Sequence, residues 1–354
     1  MLSGNIGEWS EVYVLFKILG EGKLYSATES PQTSRIKHYP VERVFRRDIG
    51  RHIEYRINEF DVEVHLEDHG TIGIHPSRKN ISTAANILYL ALKSRSGSFS
   101  VPEVQTILED LHINTLKAPS LDKADIELSV HDDRLNDEVK LSFSIKSEIG
   151  SPATLLNASQ ATNFQFYIEG GTEDLLGEEF GQLKAKKLIQ KLETDGYELF
   201  FSKIKNAQFN ANLMLTDFKM PLILATMLLD YYRGNATTTI DLLALTVDDD
   251  PAEAGLQVAN FYEHKIKMTL MDIALGMKPS HKWTGSHDAT GGYIIVKEGG
   301  DVNCLNSYNR EEFMNYLVNR TKFDTPGTER HNFGSIYIEN DDFYIDLNLQ
   351  IRFE

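Results

Sequence analysis

Residues 123–166 read KADIELSVHDDRLNDEVKLSFSIKSEIGSPATLLNASQATNFQF. From 124 to 131 the side chains alternate, Ile126, Leu128 and Val130 against Asp125, Glu127 and Ser129. From 140 to 149 they do so again, Leu141, Phe143, Ile145 and Ile149 against Ser142, Ser144, Lys146 and Glu148. Two period-two runs joined by a polar Asp/Asn-rich segment predict a β-hairpin. With its turn centred near Leu135 and Asn136, Asp125 falls opposite Lys146 and Glu127 opposite Ser144. Directly opposed Cβ atoms lie about 4.5–5.5 Å apart, so one polar face carries two carboxylates and an ammonium. Oxygen donors of this kind suit a hard divalent cation. The same residues would also serve a solvated hairpin, whose exposed cross-strand pairs are worth at most about 1 kcal/mol.

The residues after the hairpin bear on that choice. Gly150, Ser151 and Pro152 close the second strand, with Ser151 read as an N-cap and Pro152 as the first helical residue. A short helix through Leu155, Leu156 and Ser159 is expected next, then another alternating run, Phe164, Phe166 and Ile168. Strand, strand, helix, strand is the order expected if the polar face is the floor of a cleft.

Asp125, followed one strand later by Ser144-Ile145-Lys146, resembles the PD-(D/E)XK nuclease core, whose hairpin presents an aspartate and then an acid-x-lysine triplet. The longer run SFSIKSEIGSPATLLNASQATNF (142–164) resembles the matching run of the HpaII family of type II restriction endonucleases. So do GEWSEVYVLFKILGEGKLY (7–25), SHDATGGYIIVK (286–297), YNREEFMNYL (308–317), RHNFGSIY (330–337) and LNLQIRF (347–353). The three-residue motif is weak by itself; the long matches in one order span most of the chain. The resemblance implies an α/β (α+β) fold with a mixed sheet flanked by helices, elaborated by helices and a C-terminal β part. It implies Mg²⁺-dependent cleavage of double-stranded DNA at a palindromic CCGG, a two-fold homodimer and a cognate DNA methyltransferase as functional partner. Cytosine methylation within the target would block cutting.

In that scheme Asp125 holds the metal, and Lys146 orients or polarises the attacking water and stabilises the pentacovalent phosphate. One departure stands out, because the first position of the triplet is Ser144 rather than an acid. Mg²⁺ usually takes one or two carboxylates plus waters and phosphate oxygens, so the lost ligand must be recovered elsewhere or binding weakens. Glu127, on the face of Asp125, is the first candidate. Gln160 or Asn163 would supply an amide oxygen, and Glu103 or Glu109 is a third source. A chain that has lost catalysis and only binds its DNA sequence, or a nonspecific or structure-specific repair nuclease on the same core, are the competing readings.

Composition sets the outer limits. The chain has 354 residues, 41% hydrophobic and 25% charged, ordinary for a soluble globular protein and long enough for two domains. One cysteine, Cys304, excludes an internal disulfide framework or Cys-based zinc cluster and fits a reducing, cytoplasmic setting. The N-terminus lacks the basic and apolar regions of a secretion signal, and the longest apolar stretch, 220–229, is about half a membrane span. The net charge of −16 opposes nonspecific DNA binding, since phosphate affinity comes largely from Lys and Arg. Local basic groups answer it: Arg35, Lys37, Arg43, Arg46, Arg47, Arg51 and Arg56, and then Lys184, Lys186, Lys187 and Lys191. Glycine-rich phosphate loops, Gly-x-Ser-x-Gly elbows, His-Glu-x-x-His spacing and internal repeats are all absent from the sequence, which disfavours ATP dependence and serine or zinc hydrolysis.

Three segments are expected: 1–78, an α/β part with DNA contacts; 79–206, the nuclease core; and 207–354, a helical and β part for recognition or dimerisation. Helices are predicted over 8–24, stopped by Gly20 and Gly22, over 81–92, 102–113, 183–192, 213–232 and 258–275, with strands within 43–75. The acidic run Asp248 to Asp250 is read as a solvated helix entry. Near the C-terminus, glycines in 286–292 suggest close approach of backbone to a partner. Arg330 and His331 are the first candidates for reading bases, because arginine can donate two hydrogen bonds to guanine O6 and N7. Arg310 is next, and Asn163 and Ser151 join them as DNA-binding candidates.

Overall fold

A computed structural model of the chain describes all residues except 27–37, 68–69, 72, 74, 118–123 and 133–136. Arg35, Lys37, His69 and the expected turn at Leu135 and Asn136 therefore lie outside the described residues. The described strands are β1 (Lys23–Ser26), β2 (His38–Asp48), β3 (Arg51–Ile57), β4 (Val62–Leu66), β5 (Gly70–Thr71), β6 (Ile126–Asp132), β7 (Asp137–Ser147) and β8 (Thr154–Leu156). They continue with β9 (Asn163–Glu169), β10 (Glu198–Ile204), β11 (Gly292–Val296), β12 (Val302–Asn306), β13 (Thr321–Asp324), β14 (Ile336–Glu339), β15 (Asp342–Asn348) and β16 (Gln350–Phe353). The α-helices are α1 (Ile6–Glu21), α2 (Arg78–Ser94), α3 (Gln105–Asp110), α4 (Glu178–Gly181), α5 (Ala185–Thr194) and α6 (Ala207–Thr216). Then come α7 (Met220–Arg233), α8 (Thr239–Asp249), α9 (Val258–Leu275), α10 (Arg310–Asn319) and α11 (Thr328–His331). This is a mixed α/β protein of α+β type. No single described helix is long and apolar enough to cross a membrane.

The chain divides into two compact units, Met1–Ala153 with His287–Phe313, and Thr154–Ser286 with Met314–Glu354. This partition differs from the three consecutive segments expected. Its cause is long-range pairing: β11 and β12, from far along the chain, return to β7 and β1.

The first unit is built on a nine-stranded mixed sheet of order β1-β12-β11-β7-β6-β2-β3-β4-β5, in which β1 also pairs with β2. Helix α1 starts at a capping box, with the Asn5 side chain accepting from the Glu8 amide and Glu8 accepting from the Asn5 amide. It ends where Gly22 adopts φ +64°, a left-handed cap that glycine takes without a Cβ penalty. Between the caps, Trp9, Val12, Leu15, Phe16, Ile18 and Leu19 are all buried. They share one core with Leu88 and Leu92 of α2, Leu128 of β6, and Leu141, Phe143 and Ile145 of β7.

The hairpin forms as its alternation requires, but two residues out of the expected register. Ile126 pairs with Phe143 and Glu127 with Ser142, and continuing that register sets Asp125 beside Ser144 rather than opposite Lys146. A two-residue shift preserves which side chains share a face, so the polar face survives the correction. The small-residue run ahead of β11 serves packing within the unit. A Cβ on Gly291 would lie 2.5 Å from the Phe143 ring, and one on Gly292 would lie 2.2 Å from the Leu305 carbonyl oxygen.

The second unit contains a four-stranded antiparallel sheet, β10-β9-β15-β14, and a three-stranded one, β13-β16-β8, with helices α5 to α9. Two expectations fail here. The segment with Leu155 and Leu156 is the strand β8, paired to β16, and Ser151 caps no helix; only a 3₁₀ turn at Gln160–Thr162 comes after it. The single helix expected over 213–232 is instead α6 and α7, meeting at 107°. The Asp217 carboxylate accepts from the Lys219 amide and salt-bridges Lys265, and Pro221 fits only the first turn of a new helix.

Candidate active site

Asp125 sits immediately before β6, with its backbone amide donating to the Phe143 carbonyl at 2.8 Å. Its carboxylate is oriented by β7: Oδ2 accepts from Ser144 Oγ at 3.1 Å and from the Ile145 amide at 2.7 Å. Among the described residues nothing donates to Oδ1. Lys146, two residues beyond Ser144, shares the polar face, half-buried, with its ammonium 5.4 Å from the centroid of the Tyr293 ring. Burial pulls its pKa below the usual lysine range, the Asp125 and Glu11 carboxylates oppose that shift, and Lys117 adds to it.

Strand register extends this face sideways. Tyr293 pairs with Ser144, and continuing the β6–β7 ladder by one residue and the β2–β6 ladder by two puts Asp125 between Ser144 and Arg47. Arg47 in turn pairs with His52. The next row runs Ser142, Glu127, Phe45, Glu54. Over these rows opens a cleft of about 470 Å³, whose walls include Asp125, Glu127, Ser142 and Asp288, and also Phe45, Arg47, His52 and Lys140. Lys146 does not line this cleft. The loop carrying Asp288 is tied to β7, since Gly291 N donates to the Ser142 carbonyl at 2.7 Å and Ser142 N donates to Thr290 Oγ1 at 3.2 Å.

The donor set is all oxygen, which fits a hard cation such as Mg²⁺ holding one or two carboxylates and keeping water. Among the described residues no three His, Cys, Asp or Glu side chains converge on one point. Asp125 together with Glu127 or Asp288 is the pair the cleft offers. Glu127 lies 3.5 Å from Lys140 across an exposed ion pair. Glu103 and Glu109 are engaged by Arg95 and by Gln105.

The other expected contacts are dispersed. Ser151 is exposed in the bend after β7, and Gln160 is exposed at the 3₁₀ turn of the second unit. Asn163 is only 4% exposed: its Nδ2 donates to the His331 and Asn332 carbonyls, and its oxygen accepts from Asn348, so it anchors α11 from below. Arg330 is exposed on α11, while burial and the adjacent Arg330 hold the His331 pKa below the usual imidazole value. Arg310 is exposed at the start of α10.

The basic groups divide in the same way. Arg46 is buried and donates to the Thr115 and Leu116 carbonyls, Arg43 is paired with Glu54 and Glu138, and Arg56 is paired with Glu54. Lys186 lies 3.6 Å from the Tyr231 ring centroid, and Lys191 is bridged to Glu179 and Asp195. Asp250 accepts from Tyr262 and the Ala254 amide, a structural use at the end of α8. Sequence reading missed Asp288 and Tyr293 as neighbours of the hairpin. Both stand inside the run 286–297, but no periodicity marks a loop acid, and only the β7–β11 pairing brings them near.

No solved structure matches this chain. A family model described as HpaII restriction endonuclease matches residues 5–353. The type II restriction enzyme HpaII of Haemophilus parainfluenzae is 39% identical over 358 residues, spanning 99% of this chain and 98% of that protein. With the match running end to end and taking in the oriented Asp125, Ser144 and Lys146, the chain belongs to the HpaII restriction endonuclease family.

Proposed function

We propose that this restriction endonuclease hydrolyses a phosphodiester bond in each strand of duplex DNA at CCGG, with Mg²⁺ as cofactor, from a PD-(D/E)XK-type site centred on Asp125 and Lys146. The observation carrying this reading is the Asp125 carboxylate, fixed through Oδ2 by Ser144 and the Ile145 amide, with Oδ1 taking no hydrogen bond from any described residue and Lys146 on the same face. Asp125 would hold the cation, assisted by Glu127, which lines the same cleft. Mg²⁺, when bound, lowers the pKa of a coordinated water and offsets charge on the phosphate. The Lys146 ammonium, held near the carboxylate by strand pairing, orients the attacking water and stabilises charge that builds on the phosphate oxygens. Ser144 keeps the Asp125 carboxylate in one orientation and so limits the reorganisation needed when substrate binds. Arg330, His331 and Arg310 are proposed to contact DNA, with Arg330 reading guanine, and Asn163 contributes by holding the α11 carbonyls. Ser151 is proposed to touch the backbone.

A palindromic target calls for a two-fold dimer with one site per strand, and a cognate methyltransferase would protect the host sequence. A second reading, a DNA binder without catalysis, is favoured only by Ser144 standing where the motif has an acid. Digesting a plasmid with and without Mg²⁺ and sequencing the fragment ends separates them. Discrete ends at CCGG that require Mg²⁺ are expected. Retarded but uncut DNA would support the binder, and smears or branch-dependent products would support a repair-type nuclease.

A further inference from the structure

The cleft beside Asp125 is lined by charges of both signs. Its acids are Asp125, Glu127 and Asp288, while Arg47, His52 and Lys140 line it with positive or protonatable groups. We propose that Arg47, backed by His52 and Lys140, is the phosphate-binding wall of the cleft and holds the DNA backbone against Asp125. The proposal rests on the nuclease function and adds to it the groups that seat the substrate.

Register supplies the geometry. The β2–β6 register, continued two residues past Phe45 and Glu127, sets Arg47 one strand over from Asp125, and Arg47 pairs with His52 on the next strand. At about 4.8 Å per strand, a phosphate beside Asp125 lies within reach of a guanidinium whose backbone is one spacing away. Arginine suits the position, because its planar fork donates two parallel hydrogen bonds to phosphate oxygens. Phe45, in the adjacent row, gives the cleft an apolar patch of floor, and the Lys140 ammonium lies 3.8 Å from its ring centroid.

Arg46 holds two carbonyls, and Arg43 and Arg56 are engaged by Glu54, Arg43 also by Glu138. The Lys140–Glu127 pair is exposed and long at 3.5 Å, a weak contact that an incoming phosphate displaces. A chain of net charge −16 needs a local concentration of cations at the place where DNA enters, and this cleft supplies one next to the candidate catalytic carboxylate.

The test is a salt titration of duplex binding, read by fluorescence anisotropy in a Lys146→Ala background so that the DNA stays whole. Adding Arg47→Ala should weaken binding by about tenfold or more on CCGG and non-CCGG duplexes alike. It should also reduce the slope of log K against log salt by about one, the signature of one phosphate contact. Arg47→Lys should keep most of the slope, and Arg56→Ala should leave it unchanged. Unchanged affinity and slope in Arg47→Ala would overturn the proposal, as would a loss confined to CCGG or a loss with no change in slope. Should Arg47→Ala melt early, His52→Ala and Lys140→Ala are read for the same slope change, whose absence counts against the wall. If Lys146→Ala itself cuts the duplex, the catalytic role proposed for Lys146 falls, while the slopes, read on the uncut non-CCGG duplex, still decide the role of Arg47.

Discussion

At the scale of single residues, the proposed site rests on two side chains that do different things with their burial. Asp125 is oriented by an amide and a hydroxyl and presents its second oxygen, while Lys146 bears a desolvation cost that an adjacent carboxylate partly offsets. Lys146→Ala should therefore lower the cleavage rate by at least about 10²-fold, the scale of losing one preorganised electrostatic group. Duplex affinity should change only a few-fold; gel shift alongside plasmid digestion checks both. Asp346 of the second unit offers a separate test. Burial pushes its carboxyl above the usual range, against the hydrogen bond from Tyr337 at 2.7 Å and the Lys205 ammonium at 3.2 Å. The folded chain binds that proton more tightly than the unfolded chain. Its contribution is full below the unfolded value of about 3.9 and is lost as pH rises through the folded value. Asp346→Asn should remove that loss, so urea unfolding at pH 4 and pH 7 should differ less in the variant than in the wild type. The shared face of Asp125 and Lys146 was legible in the sequence because alternation fixes sides. Their exact opposition was not, since the polar turn residues leave the register free to move by two.

At the scale of elements, legibility followed the strength of the local pattern. Helix α1 is written in its cap, its apolar run and its terminating glycine, and it forms where expected. Leu155 and Leu156 failed as a helix because three residues are too few to show a period, and pairing with β16 decided their state. The stretch 213–232 is mostly apolar, so its hydrophobicity concealed the break that Asp217 and Pro221 impose. The glycines before β11 were read as room for a partner, whereas they make room for Phe143 and for the Leu305 carbonyl. Gly292 carries φ +104° as well, so Gly292→Ala meets backbone strain of order 1–3 kcal/mol in addition to the collision. Thermal unfolding should show a clear drop in midpoint. Activity should fall further than stability alone explains, because β11 carries Tyr293 beside Ser144 and Lys146.

At the scale of the whole molecule, the sequence named the family but not the partition. Local patterns suggest consecutive segments, while the first unit is closed by β11 and β12, which lie more than 140 residues beyond β7 in the chain. The strongly acidic net charge is informative at this scale too, since it leaves affinity for DNA to a few cations and makes nonspecific adhesion costly. If, as proposed, the target is palindromic and each protomer carries one site, a test of assembly follows that no single substitution provides. If two protomers each cut one strand, co-expressing wild-type chains with a large excess of Lys146→Ala chains places nearly every active protomer beside an inactive one. Such mixed dimers should nick supercoiled plasmid to the open circle and accumulate it, where the wild-type dimer yields linear DNA. A protomer that cuts both strands by itself would give the same ratio of linear to open-circular product at every mixing ratio, and gel electrophoresis of the digest distinguishes the two outcomes.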